Sequence, residues 1–348
     1  MSAQDGATDA GAALPKAQAD FLPLLLPLLV AIAGYLGMWC QSFPQLPSSS
    51  TWVTLTIAGL AMGMMIFIMA SGLTLIFGLM DVLNFGHGAF IAIGAYLATL
   101  VLLPLGGWMQ ADSIWLNLAA VVPAVIVAMA GTAVLGLAFE RVVIAPVYGQ
   151  HLKQILITMG GMIVAEQILY ALFGPQQIPL PLPTSLRGSF QIGEAAIEKY
   201  RVVCVVAGLV VFLSMLAILN RTRIGLLIRA GVENTEMVEA LGYRITRLFV
   251  GVFMAGSALA GLGGVMWGLY REQVNAAMGG ELLVLVFIVV IIGGLGSVTG
   301  CFIGALLVAL ATNYAGFLVP KAALITDILL MVVILLWRPR GLYPVTSR

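Results

Sequence analysis

Residues 52–105 read WVTLTIAGLAMGMMIFIMASGLTLIFGLMDVLNFGHGAFIAIGAYLATLVLLPL, and the fold turns on how they divide. Trp52–Leu79 is an apolar run longer than the about twenty residues a helix needs to cross bilayer hydrocarbon. Met80–Gly88 then brings in Asp81, Asn84 and His87, after which Ala89–Leu105 is apolar again. A soluble core could hold one such run. It could not hold a chain that is 61% apolar and 9% charged over 348 residues, against roughly 45–50% and about 25% in soluble domains. Too much of any folded surface faces solvent for that. Lipid removes the conflict, and the expected class is an all-α polytopic membrane bundle.

Working outward, Leu22–Cys40 precedes this stretch across a Pro/Ser-rich break at Pro44, Pro47 and Ser48–Ser50. Ile114–Phe139, Leu152–Phe173, Val202–Leu219, Leu248–Tyr270, Leu282–Ile292, Cys301–Val319 and Ala322–Trp337 follow it. A Pro-rich loop is expected from Gly174 to Lys199, and the one long charged segment is Asn220–Arg247. Ten spans result, with two Gly-rich interrupted helix pairs; either interruption could instead be a re-entrant dip that merges or shortens spans. Residues 21–337 are expected to form the membrane domain, with the charged cytoplasmic segment 220–247 inside it. Residues 1–20, polar and without a basic start, read as a cytoplasmic tail rather than a signal peptide, and 338–348 as a basic cytoplasmic tail.

An even span count places both termini on one side, and the positive charges test it. With the N-terminus inside, Lys16, Arg141, Lys153, Arg221, Arg223, Arg229, Arg244, Arg247, Arg338, Arg340 and Arg348 are cytoplasmic. Arg187, Lys199, Arg201, Arg271 and Lys321 are outside, so the bias follows the positive-inside rule. Cys40, Cys204 and Cys301 are far apart with no metal spacing, and read as small hydrophobes. No GxxxxGK[ST] phosphate loop is present, so any ATP is hydrolysed by another chain.

The interruptions carry the functional expectations. Irregular backbone at membrane depth survives only where protein buries it or water reaches it, and paired Gly-interrupted helices point to a transport path. Asn84, Phe85, His87 and Gly88 in the first break, and Gly293, Gly294, Gly296 and Ser297 in the second, are the path candidates. Asn84 and His87 either cap helix ends or touch the solute. His151, the only other histidine, sits in a predicted cytoplasmic loop, so no metal pair is expected. Glu166 and Gln167 fall mid-span in the fifth helix and Asp327 in the tenth; each needs water, the bundle interior or a partner. The pairs Gly59/Gly63, Gly264/Gly268 and Gly296/Gly300/Gly304 suit close helix packing.

In the charged segment, Glu233–Leu241 is an amphipathic helix candidate in which Val238 and Leu241 share a face with Asn234. Met237 and Leu241 form an i,i+4 pair, and Gly242 is a plausible stop. Glu233, Glu236 and Glu239 oppose a resting place on an anionic lipid surface. A groove on a soluble partner suits the helix better.

Several of these residues resemble the LivH-type branched-chain amino-acid ABC transporter permeases. The similarity lies in Gly72–Gly78, Asn84-Phe85-Gly86-His87-Gly88, Ile93–Tyr96, Glu140-Arg141-Val142 with Pro146, Arg229-Ala230, Glu233, Met237, Leu241-Gly242, Gly293–Ser297 with Gly300, and Arg338–Leu342. It runs in order from Trp52 to Leu342. Val232, Val238 and Val147–Gln150 depart from the family pattern. The resemblance implies no catalytic site, metal or cofactor on this chain. It implies a second related permease subunit, two ATPase subunits that hydrolyse ATP, a periplasmic solute-binding protein and no nucleic acid. It also implies a coupling helix of Arg229, Glu233, Asn234, Met237, Leu241 and Gly242. The same resemblance extends to urea, short-amide and aromatic-acid importers, and a self-contained carrier or channel is the alternative of another class.

Overall fold

The computed structural model describes residues 22–42, 49–233 and 235–344. Thirteen α-helices lie among them: α1 Leu22–Ser42, α2 Ser49–Met80, α3 His87–Leu102, α4 Gly106–Gln110, α5 Ile114–Phe139, α6 His151–Phe173, α7 Lys199–Arg221, α8 Arg223–Glu233, α9 Thr235–Ala240, α10 Ile245–Arg271, α11 Met278–Gly293, α12 Val298–Leu318 and α13 Pro320–Trp337. Seven are long and apolar enough to cross a membrane; His87–Leu102, Met278–Gly293 and the stretch Ile325–Trp337 are shorter apolar helices. The ten expected hydrophobic segments are thus all helical, but α3 and α11 have 16 residues each. At 1.5 Å per residue that is roughly 24 Å, short of a full crossing. The tail 1–20 and the last residues of the basic tail lie outside the described residues.

Helix α2 is the axis of the bundle. Its most apolar window is 78% buried, against 17% for those of α6 and α7. It packs on α12, α10 and α7, while α10 also packs on α3 and α5. The glycines on these faces set the contact distance. Gly59 and Gly63 of α2 lie against Leu310 and against Ala305 and Leu306 of α12, and Gly264 and Gly268 of α10 meet Ile91 of α3 and Val274. An aromatic joint of Phe67, Phe212 and Phe302 ties α2, α7 and α12, with the last two rings stacked at 4.0 Å. Peripheral helices leave their outer sides uncovered. Leu152, Leu156, Leu172, Val210 and Leu336 are each more than half exposed, so this is a surface for lipid or another subunit.

The loops segregate to two faces. One, the basic face, gathers the Met80 end of α2, the start of α6, the turn after α11, Arg247 and the chain following Arg338. The other holds the segment after α6, which is not the featureless loop its prolines suggest. Ile178–Pro179 (β1) pairs antiparallel with Gln273–Val274 (β4), and Ser189–Ile192 (β2) forms a hairpin with Ala195–Glu198 (β3). Gly193 turns that hairpin at φ +63°. Ala195 and Ile197 face inward while Ala196 and Glu198 do not, the alternation of a half-buried strand. Asn117 staples this hairpin face: its amide donates to the Trp108 and Ala111 carbonyls (2.7 and 3.1 Å) and its oxygen accepts from Ser185 N–H at 2.8 Å.

Candidate functional site

The first interruption is a climb back into the bundle. Helix α2 ends at Met80 on the basic face, and Asp81 turns the chain in the left-handed region at φ +53°. Residues 82–86 then ascend until His87 lies beside Met69, eleven residues back along α2 and roughly 16 Å inward. The climb is paid out in specific bonds: Phe85 N–H donates to Thr158 Oγ1 of α6 at 3.1 Å, and His87 N–H to the Asn84 carbonyl at 3.3 Å. His87 Nε2 donates to the Met69 carbonyl at 2.9 Å, which fixes the ring and turns Nδ1 elsewhere. Asn84 and His87 are fully buried, and Asn84 Nδ2, Asn84 Oδ1 and His87 Nδ1 meet no hydrogen-bond partner. Phe90, Phe139 and Phe253 close this end, with centroids 5.6–6.2 Å apart, and Gly86 lies on the Phe139 ring.

A second climb, which the sequence reading missed, enters from the hairpin face. Helix α10 ends at Arg271, and Glu272 turns the chain at φ +51°. Asp81 and Glu272 are the two non-glycine residues with positive φ among those described. Residues 273–277 descend to Met278, the start of α11, and Asn275 Oδ1 is again buried without a partner. The correspondence is positional. Asp81, Asn84, His87 and Gly88 match Glu272, Asn275, Met278 and Gly279 at identical spacing. Met278 N–H reaches the Asn275 carbonyl at 3.4 Å, as His87 does Asn84. The two halves meet where Gly88 and Gly279 touch, since a Cβ on Gly88 would lie 2.5 Å from the Gly279 carbonyl oxygen. Two short helices therefore start at one point inside the bundle and run to opposite faces, an inverted pair around a central gap in helical backbone. The signal that could have found it is Asp81-x-x-Asn84-x-x-x-Gly88 against Glu272-x-x-Asn275-x-x-x-Gly279.

The Gly-rich break after α11 sits elsewhere. Gly293, Gly294, Gly296 and Ser297 form the tight turn from α11 to α12, with Gly294 at φ +100° and Gly296 at +81°. Ser297 caps α12, its hydroxyl accepting from Gly300 N–H at 3.1 Å. This turn lies at the basic-face end of α2: a Cβ on Gly78 would be 2.7 Å from Gly296 Cα. The expectation of a second interruption at membrane depth here is corrected, and Gly296 is a turn residue rather than part of a helix-packing stripe. The chain after α13 covers the turn, with Leu342 and Tyr343 N–H donating to the Ile292 and Gly293 carbonyls at 2.9 and 3.0 Å. Residues 338–344 of the basic tail are thus docked.

Helix α6 presents Gln154, Thr158, Met162 and Leu169 inward. Glu166 is at the edge of that stripe, half-buried, and Gln167 is exposed on the outer side, so neither joins Asn84 and His87. The helix before it unwinds through a π-turn, Glu140–Ile144, where buried Glu140 accepts from Tyr148 Oη at 3.0 Å. Burial, with the Glu140 charge and hydrogen bond adding to it, pushes the Tyr148 phenol well up from its usual range, so it stays a donor. His151 is not isolated; its Nε2 lies 3.8 Å from Asp81 on the basic face.

The coupling segment is helical on both sides of residue 234, in α8 and α9. Asn234 and the side chains of Arg229 and Glu233 lie outside the described residues. In α9, Val238 is buried while Met237 and Leu241 are 61% and 71% exposed. Val238 and Leu241 therefore do not share a buried side: Leu241 closes the helix, its N–H on the Met237 carbonyl at 3.1 Å, and Gly242 follows at φ +88° with its N–H on the Glu239 carbonyl.

A polytopic helical bundle with an inverted pair of interrupted helices is the architecture of a membrane transport permease. The profile of the family described as "Branched-chain amino acid transport system / permease component" matches residues 55–337, and the chain belongs to that family. It is 28% identical to the high-affinity branched-chain amino acid transport system permease protein BraD of Pseudomonas aeruginosa, over 82% of this chain and 94% of that one. It is 28% identical to LivH of Escherichia coli K12 over 82% and 92%, and to LivM of Salmonella typhimurium over 82% and 69%.

Proposed function

We propose that this chain is the translocation subunit of an ATP-driven importer for branched-chain or related hydrophobic amino acids. It has no catalysis of its own, and ATP hydrolysed by two partner ATPase subunits drives its alternating access. It pairs with a second related permease in a bacterial inner membrane and receives solute from a periplasmic binding protein. The basic face is cytoplasmic, in keeping with the positive-inside rule. The single observation that carries the reading is the family match over residues 55–337. The exposed Met237 and Leu241, held over a buried Val238 on the basic face, support an ATPase contact there. That LivH and LivM relatives match at the same identity supports a pair of related subunits.

The test is purification of the membrane complex and leucine uptake in proteoliposomes. ATPase subunits should co-purify, and uptake should stop without ATP. Met237→Asp with Leu241→Asp should release the ATPases and reduce uptake at least about tenfold, with the permease still folded. Uptake that continues without ATP or ATPase subunits sinks the reading.

A further inference from the structure

On the flank formed by α2, α10, α11 and α13 lies a cavity of about 580 Å³, lined by Arg271, Asn275, Glu281 and Asp327 together with Trp267 and Met278. It differs from two hollows of similar size, which are apolar grooves between α2, α7 and α10 and between α3, α5 and α6. Its volume falls in the roughly 300–1,000 Å³ range of small-molecule sites. Arg271 sits at the hairpin-face end of α10, while Glu281 and Asp327 lie further along the flank, where a carboxylate needs water, a partner or a polar ligand rather than lipid. No carboxylate among the described residues lies within 4.0 Å of Arg271, and no cation within that distance of Glu281. Asp327 is engaged, accepting from the Thr312 hydroxyl. Asn275 Oδ1, at the end of the second climb, has no hydrogen-bond partner. Arg271 and Gln273 also line a polar hollow on the hairpin face, beside Glu198 and Arg201, so the two hollows share a wall at that face.

We infer that this cavity is a resting site for a zwitterionic α-amino acid entering from the hairpin face. Arg271 offers a planar fork for the carboxylate. Glu281 accepts from the ammonium group. Trp267 and Met278 take the apolar side chain. A urea or short-amide solute would leave both charges unpaired, whereas a zwitterion satisfies them together. The inference rests on the amino-acid reading above and deepens it.

The experiment uses the assembled importer, with its ATPases and binding protein, in proteoliposomes and with leucine as the probe. The wild-type complex tests the amino-acid reading first, and absence of leucine uptake there overturns that reading and this site with it. Where wild type imports leucine, Glu281→Gln and Arg271→Gln should each lower uptake at least about tenfold through lost charge-assisted bonds. Glu281→Asp should retain more uptake than Glu281→Gln, and subunit composition should stay unchanged. Uptake within about twofold of wild type in both neutral variants overturns the site and leaves the transport reading standing. If the variants fail to assemble, Val284→Cys on the cavity rim, in a Cys40→Ala background, replaces them. Leucine should then slow its labelling by an impermeant maleimide, and an unchanged labelling rate overturns the site.

Discussion

The climb from Asp81 to Gly88 and the climb from Glu272 to Gly279 have the same length, the same left-handed entry and an asparagine and a glycine at the same places, yet they end in different surroundings. The first is sealed. Phe90, Phe139 and Phe253 pack around it, and His87 is bolted to Met69. The second opens beside Asn275 and Met278 onto a hollow lined by charges. Backbone geometry is thus shared between the halves, while the side chains divide the work: one half holds the centre together and the other leaves room beside it.

The shared part is the Gly88–Gly279 contact, and it makes the largest prediction. Each glycine faces the other's backbone, which cannot yield as a side chain could. Gly88→Val and Gly279→Val should each destabilise the permease by about 3 kcal/mol or more, read as loss of melting temperature or of recoverable protein in detergent. Tolerance of one and not the other would break the equivalence of the two halves.

The division of work is tested by exchanging residues between them. In His87→Met the Met69 carbonyl keeps its bond inside α2, and an unpartnered ring nitrogen is removed from the interior. The cost should be about 1 kcal/mol or less. Met278→His places an imidazole where Met278 is 4% exposed, and should cost about 2 kcal/mol. Thermal unfolding of the two purified variants checks the asymmetry. Uptake checks the role: His87→Met with normal stability and lost transport would make His87 a solute contact rather than a bolt.

How much of this was legible depends on what lipid demands of a sequence. Ile114–Phe139 is observed with its predicted bounds, because a spanning helix must be apolar along its length and its ends show as polar residues. Depth is not written that way. Gly293–Gly300 and Met80–Gly88 look alike as Gly-rich breaks, and only the contacts of Gly296 with Gly78 and of His87 with Met69 separate a turn at the surface from a climb into the bundle. The Glu272–Ala277 climb was hidden because polar residues after a span are expected anyway. Burial of Val238 and exposure of Leu241 depend on how α9 rests on its neighbours, which nine residues of periodicity do not fix.

The smallest prediction concerns the two left-handed entries. A non-glycine residue at φ near +50° carries a cost of about 1 kcal/mol, and aspartate bears it better than glutamate because its short carboxylate can bond locally. Both positions still close their helices: Asp81 N–H reaches the Phe77 carbonyl at 2.9 Å, and Glu272 N–H reaches Gly268 and Leu269. Glycine would keep those bonds and relieve the backbone, at some cost from the freer unfolded chain. Glu272→Gly should therefore gain up to about 1 kcal/mol. Asp81→Gly should gain close to nothing, since it also gives up an exposed contact with His151, an ion pair when that imidazole is protonated, worth about 0–1 kcal/mol. Melting curves of the two variants decide it; a larger gain at Asp81 would mean that the first entry, not the second, is the strained one.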